Sequence, residues 1–127
     1  MKTLLLLAIL ASSHCSALAG YNAIYFAPKN NVVGASYGQE TKEDALRKAR
    51  SQCRSRWGIG CKKAIWSTRC SSLYVSPGSG EYGYGATSGN SRAEANKKAY
   101  KVCRKYNLTC VRRIAACEDA YEDQVLK

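Results

Sequence analysis

Thr41-Lys42-Glu43-Asp44-Ala45-Leu46-Arg47-Lys48-Ala49-Arg50-Ser51-Gln52-Cys53 returns fifty positions later as Ser91-Arg92-Ala93-Glu94-Ala95-Asn96-Lys97-Lys98-Ala99-Tyr100-Lys101-Val102-Cys103. A self-similarity at this period marks a repeated structural unit. At about 100° per residue, Ala45, Leu46, Ala49, Cys53 and Trp57 follow at helical spacing on one side of a helix, and Ala95, Ala99 and Cys103 share one side of a second. Thr41 supplies an N-cap hydroxyl with Glu43 and Asp44 behind it, and Ser91-Arg92-Ala93-Glu94 is a capping box. The first helix is expected to stop at Gly58 and the second at about Tyr106. Cys61 and Ile65 recur 49 positions on as Cys110 and Ile114, and upstream Ser36-Tyr37-Gly38 answers to Gly83-Tyr84-Gly85.

Working outward, Ala23 to Ala27 and Val32 to Tyr37 are β-prone runs separated by Pro28-Lys29-Asn30-Asn31, a turn composition, and they predict a hairpin. Lys62 to Thr68 predicts a strand leading to Cys70. The second copy repeats the order, with Leu73 to Ser76, Glu81 to Thr87 and Cys110 to Cys117 as strands. Alternation along a strand sends Tyr82 and Tyr84 to one face and leaves Gly83 and Gly85 as a smooth opposite face; Gly34, Ser36 and Gly38 do the same in the first copy. Only a helix with a short contact stripe approaches such a face closely, and the alanines supply it. These glycines are read as packing positions. No Gly-x-Gly-x-x-Gly or Gly-Lys-Ser/Thr motif occurs to cradle a phosphate.

The chain has 127 residues and a net charge of +11, with 20 Lys plus Arg against 9 Asp plus Glu. Lys2, the apolar run Leu4 to Ala11 and the small-residue site Ala17-Leu18-Ala19 predict a secretory signal peptide over residues 1–19. A lipoprotein anchored at Cys15 is disfavoured by His14 before it. Cleavage after Ala19 leaves 108 residues with net charge +10, no histidine and six cysteines. That is one secreted domain, residues 20–127, with repeat halves at about 21–70 and 71–117 and an unpatterned acidic tail at 118–127. It is too small for a doubly wound enzyme. No later stretch reaches the roughly 20 apolar residues of a membrane span.

An even cysteine count in an exported chain predicts disulfides; without a Cys-x-x-Cys pair or a histidine, zinc is a weak alternative and no metal is expected. The repeat suggests Cys53–Cys61 and Cys103–Cys110, which leaves Cys70 with Cys117 across the halves.

Hairpin, Ala-x-x-x-Ala-x-x-x-Cys helix, Cys-initiated strand and closing Cys, given twice with aromatic-glycine strands, resembles a family of exported bacterial proteins catalogued as domain of unknown function 4189. The resemblance runs from Ala23 to Cys117. It implies a small α+β domain of two pseudo-symmetric halves with one helix each. The family carries no assigned activity, so no catalytic residue is transferred. Resemblance and repeat together predict a disulfide-stapled domain of two ββαβ-like pseudo-repeats, its two helices packed on β-sheet.

Without histidine, the commonest general base and the Ser-His and Cys-His nucleophile pairs are missing, and pairing disfavours cysteine nucleophiles. The acids Glu40, Glu43, Asp44 and Glu94 suit helix starts through the dipole. A carboxylate pair of Glu40 with Glu81 is a remote glycosidase-like alternative. No catalytic residue and no cofactor is expected.

Charge is the stronger signal, because residues 41–63 and 92–113 hold 16 of the 19 basic residues left after cleavage. Arg47, Arg50 and Arg54 form a stripe opposite the first alanine-cysteine stripe, and Lys97, Lys101 and Arg104, flanked by Lys98 and Lys105, form one opposite the second. If both helices cover one face of a common sheet, the stripes join. These residues are the candidate anion-binding site, for nucleic acid, an acidic glycan or an anionic membrane surface, with Tyr82 and Tyr84 as candidate stacking partners. An effector or antimicrobial protein is a variant of this reading. The alternative is a protein–protein module, such as an inhibitor of a secreted or envelope enzyme, presenting an aromatic face or the loop Ser76 to Glu81. Asn107-Leu108-Thr109 is a glycosylation acceptor sequence if the host is a eukaryote. A hydrolase panel run on the oxidised protein is expected to show no turnover that a chelator or a thiol reagent abolishes; such turnover would contradict the inventory.

Overall fold

Two side-chain caps set the helices. Thr41 Oγ1 accepts the Asp44 N–H at 3.1 Å at the start of α1 (Lys42–Ser55), and Ser91 Oγ accepts the Glu94 N–H at 3.1 Å at the start of α2 (Arg92–Tyr106). A computed structural model describes residues 20–77, 82–117 and 121–123. The segment assigned to a signal peptide, most of the loop Ser76 to Glu81 and most of the acidic tail lie outside the described residues.

The strands are β1 (Tyr21–Ala27), β2 (Val32–Gln39), β3 (Lys62–Ser67), β4 (Cys70–Ser76), β5 (Gly83–Gly89), β6 (Val111–Cys117) and β7 (Tyr121–Asp123). They form two antiparallel sheets, not one: β2-β1-β3 from the first half and β5-β4-β6-β7 from the second. β7 corrects the expectation of a wholly unpatterned tail, since Glu122 pairs with Ala115 and Asp123 with Ile114. Only Thr68 and Arg69 separate β3 from β4, so the chain changes sheets within two residues.

Alternation decides what each sheet buries. Ile24, Phe26, Val33 and Ala35 of the first sheet meet Leu73, Val75, Ile114 and Ala116 of the second in one apolar core. Six of these are large side chains at 0–1 % exposure, each stabilising the fold by about 1.5–3 kcal/mol. The opposite faces carry small residues and receive the helices: Ala23 packs with Ala45 and Ala49, and Ala95 packs with Cys70 and Cys117. The architecture is α1, first sheet, second sheet, α2, in four layers: an α+β domain of two ββαβ-like halves.

The close approach is recorded at two glycines. A Cβ on Gly34 would meet the backbone of Ala49 and Cys53, 2.9 Å from the Cys53 Cα, and one on Gly85 would meet Ala99 and Cys103 in the same way, 2.9 Å from the Cys103 Cα. Two positions further along, Ser36 Oγ donates to the Ala45 carbonyl (2.6 Å) and Thr87 Oγ1 to the Ala95 carbonyl (3.1 Å). The structural repeat is therefore Gly34-Ala35-Ser36 with Gly85-Ala86-Thr87. This corrects the sequence pairing of Ser36-Tyr37-Gly38 with Gly83-Tyr84-Gly85. Gly38 sits instead at φ 64°, within the register shift between the Ala23–Ser36 and Tyr21–Gln39 pairs of the β1–β2 ladder.

The disulfides are Cys53–Cys61, Cys103–Cys110 and Cys70–Cys117, as the repeat predicted. The last staples β4 to β6 within the second sheet, not across the halves as expected, because β4 belongs with the second half. It closes the longest loop, and chain entropy assigns it about 4 kcal/mol against about 2.5 for each short one. A buried polar knot holds the sheet change. Asn22, fully buried, donates to the Arg69 carbonyl (2.8 Å), and its Oδ1 accepts from Ser71 (2.6 Å) and Ser67 (3.2 Å).

Chemical denaturation is expected to show Gly34→Ala and Gly85→Ala each lowering stability by about 1–3 kcal/mol, because helix backbone cannot yield as a side chain does. Asn22→Ala removes the acceptor that two buried hydroxyls share and the donor to a carbonyl, leaving those hydroxyls only the 3.1 Å Ser71–Ser67 bond and the Arg69 N–H, and is expected to cost about 2–3 kcal/mol.

Candidate functional site

The alanine-cysteine stripes face the sheets, so geometry alone sends the basic stripes outward. Ala45, Ala49, Cys53, Ala95, Ala99 and Cys103 are all at 0 % exposure, while Arg47, Arg50, Arg54, Lys97, Lys101 and Arg104 are all exposed. Arg47, Arg50 and Arg54, with Ser51 and Ser55, line a shallow depression of about 490 Å³ on α1. Arg47 is partly engaged, its guanidinium 2.8 Å from the Asp44 carboxylate, and Arg104 donates to the Leu108 carbonyl. Among the described residues no ion pair or hydrogen bond engages Arg50, Arg54, Lys97 or Lys101.

The stripes do not join. α1 covers the outer face of the first sheet and α2 the outer face of the second, with both sheets and the core between them. The expected merged face assumed one sheet; the structure makes two separate cationic faces on opposite sides of the molecule.

Tyr82 and Tyr84 also differ from their expected role. Both are half-buried against the inter-sheet core, and the Tyr84 ring meets Phe26 edge-on with centroids 5.3 Å apart. Their rings are spent on packing, not on an open stacking surface. Asn107 is engaged as well, its amide donating to the Cys103 carbonyl at 2.9 Å.

The helix acids keep to the helix starts, where Asp44 pairs with Arg47 and Glu94 with Lys98. Glu43, Asp44 and Glu94 stand in the first turns of the helices. Near the start of α2, a polar cleft of about 230 Å³ between the halves is lined by Arg69, Ser88, Asn90, Glu94 and Lys98 among others. There the hydrogen bond and the charge of Lys98, 2.8 Å away, hold the Glu94 carboxyl below its ordinary range. Glu40 is exposed, and Glu81, its suggested catalytic partner, lies outside the described residues. All six cysteines of the described residues are paired, and among those residues no three His, Cys, Asp or Glu side chains gather to hold a metal. Among them, too, no helix is long and apolar enough to cross a membrane.

Sequence reasoning missed one group of residues. The exposed large apolar side chains concentrate where the helices end: Trp57 is 86 % exposed, Ile59 56 %, Tyr106 77 % and Leu108 89 %. Trp57 stands four residues after Cys53 and so reads as part of the apolar stripe of the first helix, but α1 ends at Ser55 and Trp57 is turned outward.

A family model described as "Domain of unknown function (DUF4189)" matches residues 21–117. No curated protein and no solved structure matches the chain.

Proposed function

We propose that this chain, which belongs to the family described as domain of unknown function DUF4189, is a secreted, non-enzymatic binding protein or effector that attaches to an anionic target. One observation carries the reading: each half turns a file of cations outward from its helix while the described acids of the helices stay in the first turns. Packing does not require this, since the buried stripe of each helix is alanine and cysteine. Solubility does not require it either, because a mixed surface serves as well and a one-sign surface repels itself.

The chemistry suits phosphate, sulfate or carboxylate groups, which Arg50, Arg54, Lys97 and Lys101 reach without breaking an internal ion pair. Such contacts displace counterions, so affinity falls with salt. Two faces on opposite sides engage a polymer twice, or two anionic surfaces once each. Toxicity to microbes would be a consequence of such attachment. Three disulfides agree with an oxidising compartment, as secretion requires.

The test is a binding panel of single-stranded nucleic acid, sulfated glycan and anionic vesicles at two salt concentrations. Arg47, Arg50 and Arg54 are replaced by Gln in one variant, and Lys97, Lys101 and Arg104 in another. Folding is expected to be nearly unchanged, since the replaced side chains are exposed. Each variant is expected to weaken binding at low salt and to flatten the salt dependence by up to about one unit of slope per lost contact. Because the faces are separate, the two losses are expected to add. Folded variants that keep the parent's affinity and slope for every ligand would leave the protein–protein module as the reading.

A further inference from the structure

The four most exposed of the large apolar side chains, Trp57, Ile59, Tyr106 and Leu108, all stand at one end of the molecule. Tyr82 N–H donates to the Pro28 carbonyl at 2.7 Å, which ties the turn of the first hairpin to that of the second. Asn30, in the first turn, donates to the Trp57 carbonyl (2.9 Å) and accepts from the Ile59 N–H (3.1 Å), so the loop closed by Cys53–Cys61 sits at this end. Asn107 packs against Gly83, the first residue of β5, so the loop closed by Cys103–Cys110 sits there too. Each loop projects one aromatic and one aliphatic side chain, Trp57 with Ile59 and Tyr106 with Leu108.

The end of α1 makes this costlier than chance exposure. The Gly58 N–H bonds to the Cys53 carbonyl and the Trp57 N–H to the Arg54 carbonyl, both at 3.0 Å, which is a Schellman closure with Trp57 in its left-handed position at φ 67°. Glycine is the residue that position prefers. Here the glycine comes one residue later, where a Cβ would run into the Cys53–Cys61 sulfurs, and the helix ends at Ser55, short of the Gly58 that the sequence suggested. α2 ends differently, on an extended Asn107, yet displays the same pair of side-chain types. Two unlike caps arrive at one display.

Cations surround it. Lys29, Arg54, Lys62, Lys63, Arg104 and Lys105 are exposed in or beside these loops, and the described acids lie just before or in the first turns of the helices and in β7. Aromatic residues with an apolar body and a polar edge, beside long cationic side chains, match the boundary between headgroups and hydrocarbon. Nucleic acid or sulfated glycan would reward the cations but not Leu108 or Ile59. The tip projects two separate loops, which suits a deformable bilayer.

We propose that this tip inserts Trp57, Ile59, Tyr106 and Leu108 into the interface of an anionic lipid bilayer, with the surrounding lysines and arginines against the headgroups. The inference rests on the anion-binding reading and names its target as an anionic lipid surface.

The experiment uses protein recovered after export, its N-terminus fixed by intact mass. Trp66→Phe leaves Trp57 as the one tryptophan. On vesicles of phosphatidylcholine with a quarter phosphatidylglycerol, Trp57 emission is expected to shift to the blue and to gain protection from iodide. Trp57→Gly and Leu108→Ser are each expected to lower partitioning about tenfold and to leave affinity for heparin and single-stranded nucleic acid within about twofold. Trp57→Gly is also expected to keep or raise the melting temperature, because glycine suits φ 67°; lost binding with unlost stability separates lipid contact from a structural role. Trp57 that stays open to iodide at saturating lipid, or variants that partition as the parent does, would overturn the insertion. If the parent binds polymers but not vesicles, the tip inference falls alone. If it binds neither, the anion-binding reading falls with it.

Discussion

Two contacts between backbones govern the molecule: α1 lies directly on Gly34 and α2 directly on Gly85. At both places the helix comes so near the strand that a single methyl group has no room. Close approach of this kind needs small residues on both sides, and Ala45, Ala49, Ala95 and Ala99 complete it. Because the small residues are used on the outer face of each sheet, the large ones of the same strands must emerge on the other face. Ile24, Phe26, Leu73 and Ile114 are thereby committed to a core between two sheets.

The display of charge and apolar surface follows from the same contacts. A helix held by its alanine-cysteine stripe has no choice over which side it turns to water, so Arg47, Arg50 and Arg54 of one helix and Lys97, Lys101 and Arg104 of the other are exposed on opposite sides of the sandwich. Helix polarity then sorts the acids: Glu43, Asp44 and Glu94 gain from the positive end of the dipole. The disulfides from Cys53 and Cys103, the last buried residue of each helix, fold the following loop back toward the next strand. The hydrogen bond between Tyr82 and Pro28 brings both loops to one end. Cationic flanks and an aromatic, basic tip are thus consequences of where two glycines sit.

Local features of the sequence were legible because they depend on neighbours in the chain. The caps at Thr41 and Ser91, the order of the elements and the three disulfides all follow from spacing or from the repeat. The misreadings concern residues whose partners are remote. Ser36-Tyr37-Gly38 resembles Gly83-Tyr84-Gly85 in composition, yet contact with the helix pairs Gly34 with Gly85. Gly58 looked like the end of α1, but the nearby disulfide claims it and leaves the left-handed position to Trp57. Asn22, one residue before a β-prone run, gave no sign of the buried knot it makes with Ser67, Ser71 and Arg69.

By itself, the sequence determined the units: a helix with one small-residue stripe and one basic stripe, strands with one smooth and one bulky face, and cysteines at repeating positions. These are properties of period and composition, and no fold of this chain would alter them. Only the tertiary structure decided how the two units meet. Period and composition do not distinguish one shared sheet from two facing sheets, and the choice rests on long-range contacts among Phe26, Leu73, Val75 and Ile114 and on the abrupt crossing at Thr68 and Arg69. That choice places the basic stripes on opposite sides and brings Trp57, Ile59, Tyr106 and Leu108 to one tip, an arrangement that no pattern within a single repeat specifies.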